Sequence, residues 1–218
     1  IERSQVVKEH YPVLSQAASV LGSTEIRNRG TVGGNLCNAA PSADMAPSLL
    51  VLGARAVVAS SKGERVVPLE AFFVGPGKTV LEKDELLVRL EMPPMKPGSA
   101  GKYIKLGIRK AMDIAVVGVA AVLALNSKDG VCAEAKLALG AVAPTPMRAK
   151  KAENRLIDKK INEEIIGLAA ETASEEASPV TDIRASTDYR RAMVRVLTRR
   201  AIEHAIDQCT HSSTTERP

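Results

Sequence analysis

Three β-rich runs follow one another with short interruptions: KYIKLGIRK at 102–110, IAVVGVAAVLAL at 114–125 and CAEAKLALGAV at 132–142. The middle run carries no charge, and the turn sequence NSKDG separates it from the third. β-Branched and apolar residues at this density suit strands, and connections this short suit antiparallel neighbours, so the spacing predicts a three-stranded meander. After PTPMR the pattern changes to helical periodicity over 149–157, 162–177 and 188–206, with Pro179 between the second and third segments. ASTDYRRAM supplies a helix start, with Ser186 or Thr187 as cap and Asp188 in the first turn. The polar end THSSTTERP is expected to be disordered.

Upstream, Val13, Leu14, Ala17, Ala18 and Leu21 recur at the spacing of an amphipathic helix that Gly22 stops. MAPSLLVLGA predicts a short helix with Pro47 near its start, and ARAVVASSKGERVVPL predicts a hairpin around Ser-Ser-Lys-Gly. A further strand is expected from Leu86 to Met92. PPMKPGSAG, with three prolines and two glycines in nine residues, marks a domain boundary. The whole reads as α+β.

Composition narrows the function. The 218 residues are 45% hydrophobic and 25% charged, a globular balance, and no segment approaches the roughly eighteen unbroken apolar residues of a membrane span. The net charge of +5 is carried by RNRG, RAKKAENR and DYRRAMVRVLTRR, mostly at helical spacing with acids nearby, as on solvated helix faces. Aromatic residues make up 2% and Trp is absent, so the stacking platforms of single-strand nucleic-acid binders are missing. Three cysteines lie far apart with no CxxC pair, which signals neither a disulfide framework nor a metal cage and points to a reducing, cytoplasmic compartment. The three histidines, His10, His204 and His211, are not placed for nucleophilic catalysis. No catalytic or metal-ligating residue is expected.

The remaining candidate is TVGGNLCNAAPSADMAP, from Thr31 to Pro47. A TVGGN turn offers backbone N–H groups without side-chain obstruction, with the Thr31 hydroxyl and Asn35 amide as further partners, a combination suited to diphosphate oxygens. It is neither a GxGxxG fingerprint nor a Walker loop. Asp44 sits among apolar neighbours and needs a hydrogen-bonded partner. A ribityl or ribose hydroxyl would supply one.

The segment EIRNRGTVGGNLCNAAPSADMAPSLLVLGA resembles the second flavin-binding motif of the FAD-binding subunit, or middle domain, of molybdenum hydroxylases. The likeness continues through FFVGPGKTVLEKDELL and YIKLGIRKAMDIAVVGVAAVLAL to the last helices, over about residues 1 to 207. It implies a partial α/β FAD-binding domain of the molybdopterin-dehydrogenase type, residues 1–97. A three-stranded antiparallel sheet with a C-terminal helical bundle would follow over 101–207, then a tail over 208–218.

By the same resemblance Thr31, Val32, Gly33, Gly34 and Asn35 would wrap FAD near its diphosphate and ribityl chain, and Asp44 would hydrogen-bond the cofactor. Leu87 and Lys105 would reach the flavin, and Leu21 would lie along it. The implied role is electron transfer, from iron–sulfur centres of a small subunit to FAD here and on to an external acceptor. Molybdenum–pterin chemistry would belong to a large partner subunit. The family's earlier glycine-rich loop, similar to AGGTD, has no counterpart in this sequence, so the chain is expected to correspond to the C-terminal two thirds of such subunits. That leaves a flavin-free interaction module as the rival reading. The loop runs from GGNLCN straight into APSAD, without the insertion that holds a cluster in some CoA reductases, and Cys37 is expected to be a packed residue.

Overall fold

The computed structural model describes residues 1–109, 112–126 and 129–215. The chain opens with short helices, α1 (Gln5–His10), α2 (Pro12–Ser19) and α3 (Thr24–Arg29). Pro12 occupies the first position of α2, where its missing N–H costs nothing, and the helix buries Val13, Leu14, Ala17 and Ala18. Ser23 caps α3 by accepting from the Ile26 amide. The glycine segment does not form the expected turn: it is a helix, α4 (Val32–Cys37), with Thr31 as its cap. The physical reason is local, since the Thr31 hydroxyl takes the Gly34 amide at 2.9 Å and offsets the poor helix propensity of two glycines.

α5 (Met45–Val51) is buried throughout. The expected hairpin follows as β1 (Arg55–Ser60) and β2 (Gly63–Pro68), in register from Arg55 opposite Pro68 to Ser60 opposite Gly63. A small ribbon of β3 (Phe73–Gly75) and β4 (Lys78–Thr79) comes next. β5 (Leu86–Glu91) then adds to the other edge of β1, giving the order β2-β1-β5.

The second sheet contains β6 (Ser99–Leu106), β7 (Val117–Leu125), β8 (Cys132–Gly140) and β9 (Met147–Arg148), antiparallel in that order. The predicted meander is its first three strands; the fourth is a two-residue edge strand too short to leave a sequence signal. The NSKDG turn includes residues 127 and 128, outside the described residues. β6 begins within the Pro/Gly-rich stretch, so Gly101 is a strand residue opposite Val122.

β7 is buried along almost its whole length because both faces of the sheet are covered. Ala120 and Val122 belong to a core shared with α2, α5 and β1, whereas Val119, Ala121 and Leu123 belong to a second core under the C-terminal helices. Those helices are α6 (Lys150–Leu156), α7 (Glu163–Glu176) and α8 (Thr187–Thr215). Asn162 caps α7, and the Ser186 hydroxyl accepts from the Tyr189 amide at the start of α8. α8 takes in residues 208–215 of the stretch expected to form the tail. No helix among the described residues is long and apolar enough to cross a membrane.

Polar ties join the two halves of the chain. The Arg148 guanidinium donates to both Glu153 oxygens at 2.6 and 2.8 Å and to Glu70 at 3.1 Å, while Glu153 also accepts from the Leu137 amide. The Ala141 amide donates to the Pro41 carbonyl at 2.7 Å. Glycine permits the closest approach within the sheet: a Cβ on Gly101 would lie 2.8 Å from both the Ala121 carbonyl oxygen and Val122 Cγ2. Gly101→Ala is therefore expected to cost about 1–3 kcal/mol through overpacking, read in urea as a lower midpoint with an unchanged m-value.

Candidate functional site

The site begins at the head of α4. Its first two amides, Val32 and Gly33, have no acceptor within the helix, as at any helix start. Gly33 has an ordinary helical backbone, and a Cβ built on it would make only van der Waals contact with Leu87 Cδ2 at 3.8 Å. The fold itself does not demand glycine there. Gly34 differs, because a Cβ there would press to 3.0 Å from the capping Thr31 hydroxyl. Asn35 turns its amide oxygen to the Met45 amide at 3.4 Å and so links α4 to the start of α5.

A groove of about 780 Å³ runs along this surface, lined by Leu21, Thr31, Val32, Gly34 and Asn35 together with Arg27 and Arg29. A second cleft of about 440 Å³ adjoins it, lined by Lys105, Arg109 and Asp113, and Arg27 lines both. The Arg27 guanidinium is held by the Glu2 carboxylate at 2.8 Å and the Leu21 carbonyl at 3.0 Å.

Asp44 lines neither cavity. Its side chain is 9% exposed and its two oxygens are divided between partners: Oδ1 accepts from the Tyr103 hydroxyl at 3.0 Å, and Oδ2 accepts from Lys105 Nζ at 2.8 Å. The partner expected from a ligand hydroxyl is thus supplied within the protein. Lys105 spends its other two protons on the Asp113 carbonyl at 2.8 Å and the Val20 carbonyl at 3.2 Å, so one ammonium joins α2, the start of α5, β6 and the segment after β6. Burial pushes the Asp44 carboxyl above its ordinary value, against the pull of Lys105 and Tyr103. Burial, and then the charge of Asp44, push the Tyr103 phenol well above its own. Asp113 is held low by the Arg109 amide, which donates to its Oδ2 at 2.7 Å.

Five of the nine candidate residues therefore line one groove, and Lys105 lines the cleft beside it. Asp44 lies behind Lys105, and Leu87 packs beneath the head of α4 against Gly33. Sequence reasoning missed Arg27, taken for part of a solvated basic face, and Tyr103. The signal for Tyr103 was its position two residues before Lys105, which puts both side chains on one face of β6.

Two family profiles match the chain. The FAD binding domain in molybdopterin dehydrogenase matches residues 1–95, and the CO dehydrogenase flavoprotein C-terminal domain matches residues 102–205. The xanthine dehydrogenase FAD-binding subunit of Escherichia coli O157:H7 is 36% identical over 202 residues, covering 92% of this chain and 68% of that protein. The carbon monoxide dehydrogenase medium chain of Hydrogenophaga pseudoflava is 32% identical over 206 residues, 94% of this chain and 71% of its own. Among solved structures, carbon monoxide dehydrogenase from the same organism superposes with a TM-score of 0.91 at 32% identity, over 95% of this chain and 71% of that one. Quinoline 2-oxidoreductase from Pseudomonas putida 86 gives 0.88 at 34%, over 96% and 72%.

Lys105→Met would leave the Asp44 carboxylate buried without its counter-charge. We expect a loss of about 3 kcal/mol at neutral pH, the scale for breaking a buried pair. The variant's Asp44 pKa would rise further above its unfolded value, so the deficit shrinks as pH falls through that raised value and the carboxyl becomes neutral. Denaturant melts at neutral and mildly acidic pH check this, and adding Asp44→Asn to the variant should recover much of the loss.

Proposed function

The chain belongs to the family of FAD-binding subunits of the molybdenum hydroxylases, oxidoreductases of several subunits, and from that premise we propose that it works as an electron-transfer subunit. FAD, when bound, supplies the redox chemistry, taking electrons from iron–sulfur centres of a small partner subunit and delivering them to an external acceptor. The molybdenum–pterin centre would sit in a large partner subunit. This chain's own task is then to bind and orient the cofactor, and no proton has to be moved by a catalytic side chain. In this reading residues 1–97 form the flavin-binding unit and residues 101–207 the unit that carries the second sheet and its helices.

The observation that carries the proposal is the groove, because Leu21, Thr31, Val32, Gly34 and Asn35 come together on it within the segment matched by the FAD-binding profile. The residues fit the group. Hydroxyl, amide and backbone N–H donors suit diphosphate and ribityl oxygens, two guanidiniums supply positive charge, and Gly34 leaves the groove wall without a side chain. Leu21 would give apolar contact on the groove and Leu87 beneath it, while Lys105, held in place by Asp44, would line the adjoining cleft where the cofactor extends.

Two variants test this in the complex co-purified with its large and small subunits. Arg29→Ala removes an exposed guanidinium of the groove and should leave subunit assembly intact, yet reduce flavin content. Asp44→Ala should weaken FAD retention at least about tenfold, equivalent to about 1.4 kcal/mol. Flavin absorbance per complex is the measurement. A wild-type complex that assembles fully but never contains flavin would contradict the proposal and favour an interaction module.

A further inference from the structure

We propose that Tyr103 is a positioning residue of the flavin site, acting through Asp44: its hydroxyl holds the carboxylate ionised and aimed so that Lys105 stays fixed at the cleft. The inference rests on the flavin reading given above. Three observations support it. The hydroxyl donates to Asp44 Oδ1 at 3.0 Å, while Lys105 takes the other oxygen. The backbone amide of Tyr103 is itself anchored, donating to Gln16 Oε1 at 2.9 Å, so β6 cannot slide the ring away from α2. And β7 makes room for the phenol. Gly118 stands opposite Lys105 in the ladder, and a Cβ there would lie 3.1 Å from the Tyr103 hydroxyl oxygen.

That glycine matters, because glycine inside a buried strand is destabilising by roughly 0.5–1 kcal/mol relative to alanine. An apolar ring alone could be accommodated by many side-chain pairs. A phenol whose oxygen must reach a particular carboxylate needs the space that Gly118 leaves.

The charged and titratable groups that bear on Asp44 among the described residues are Lys105 and Tyr103 from β6 and Asp113 from the segment after it. Lys105 and Tyr103 favour the carboxylate, whereas burial and Asp113 oppose it. Removing the phenol oxygen strands Oδ1 without a partner and shifts the balance toward the neutral acid. Neutral Asp44 no longer pairs with the Lys105 ammonium, which is then free to leave its three-acceptor arrangement.

The test measures FAD retention by the complex against pH, for wild type, Tyr103→Phe and protein carrying 3-fluorotyrosine at position 103. Tyr103→Phe should move the acid limb of retention upward by about one pH unit, the worth of one hydrogen bond to a charged group. Fluorotyrosine, a stronger donor of the same shape, should move it downward. Carbon-13 NMR of the Asp44 carboxyl in flavin-free protein should titrate in the same two directions. A merely structural tyrosine would lower thermal stability in the Phe variant and leave the limb in place. Superimposable limbs with flavin bound overturn this inference alone, and the absence of flavin from wild type at every pH overturns it together with the reading beneath it. If Tyr103→Phe does not fold, the fluorotyrosine protein decides, since its core is unaltered.

Discussion

The Lys105–Asp44 pair holds the site together. Both side chains are more than nine-tenths buried, so each would be costly without the other, and their separation of 2.8 Å is that of a charge-assisted hydrogen bond. The pair also reaches beyond its two residues. The remaining lysine protons fix the end of α2 at Val20 and the segment after β6 at Asp113, and the free carboxylate oxygen fixes Tyr103. Four parts of the chain are thereby set around one ammonium, which lines the cleft adjoining the groove.

The pair can be buried because the second sheet is covered on both faces. Alternate residues of β7 enter different cores, one beneath the N-terminal helices and one beneath α6 to α8. The strand that carries Lys105, β6, is hydrogen-bonded along its length to that doubly covered neighbour. A lysine on an ordinary exposed edge would move freely; this one is held by its strand and by three acceptors. Polar ties such as Arg148 with Glu153 and Glu70 join the chain's two halves around the same sheet.

Much of this architecture was legible in the sequence for physical reasons. The charge-free run from Ile114 to Leu125, rich in β-branched residues and flanked by short connections, suited the middle strand of a meander, and the helical periods after Met147 needed only a face to pack on. The helices α3 and α4 were not legible, because six-residue helices draw their stability from caps and tertiary packing and not from propensity. Thr31 was expected in a turn and instead caps a helix. Asp44 was correctly read as a carboxylate that must have a partner, but its partners lie 59 and 61 residues away, where no local pattern can point. Lys105 came from the family resemblance, while Tyr103 escaped because a lone tyrosine in a strand ordinarily reads as core.

The most direct measurement is an experimental structure of the assembled complex with FAD present. The account predicts cofactor density along the groove of Leu21, Thr31, Val32, Gly34 and Asn35, with the backbone of Gly33 close to it and Asp44 still bonded to Tyr103. Density for FAD on another surface, with this groove filled by a partner subunit's side chains, would contradict it.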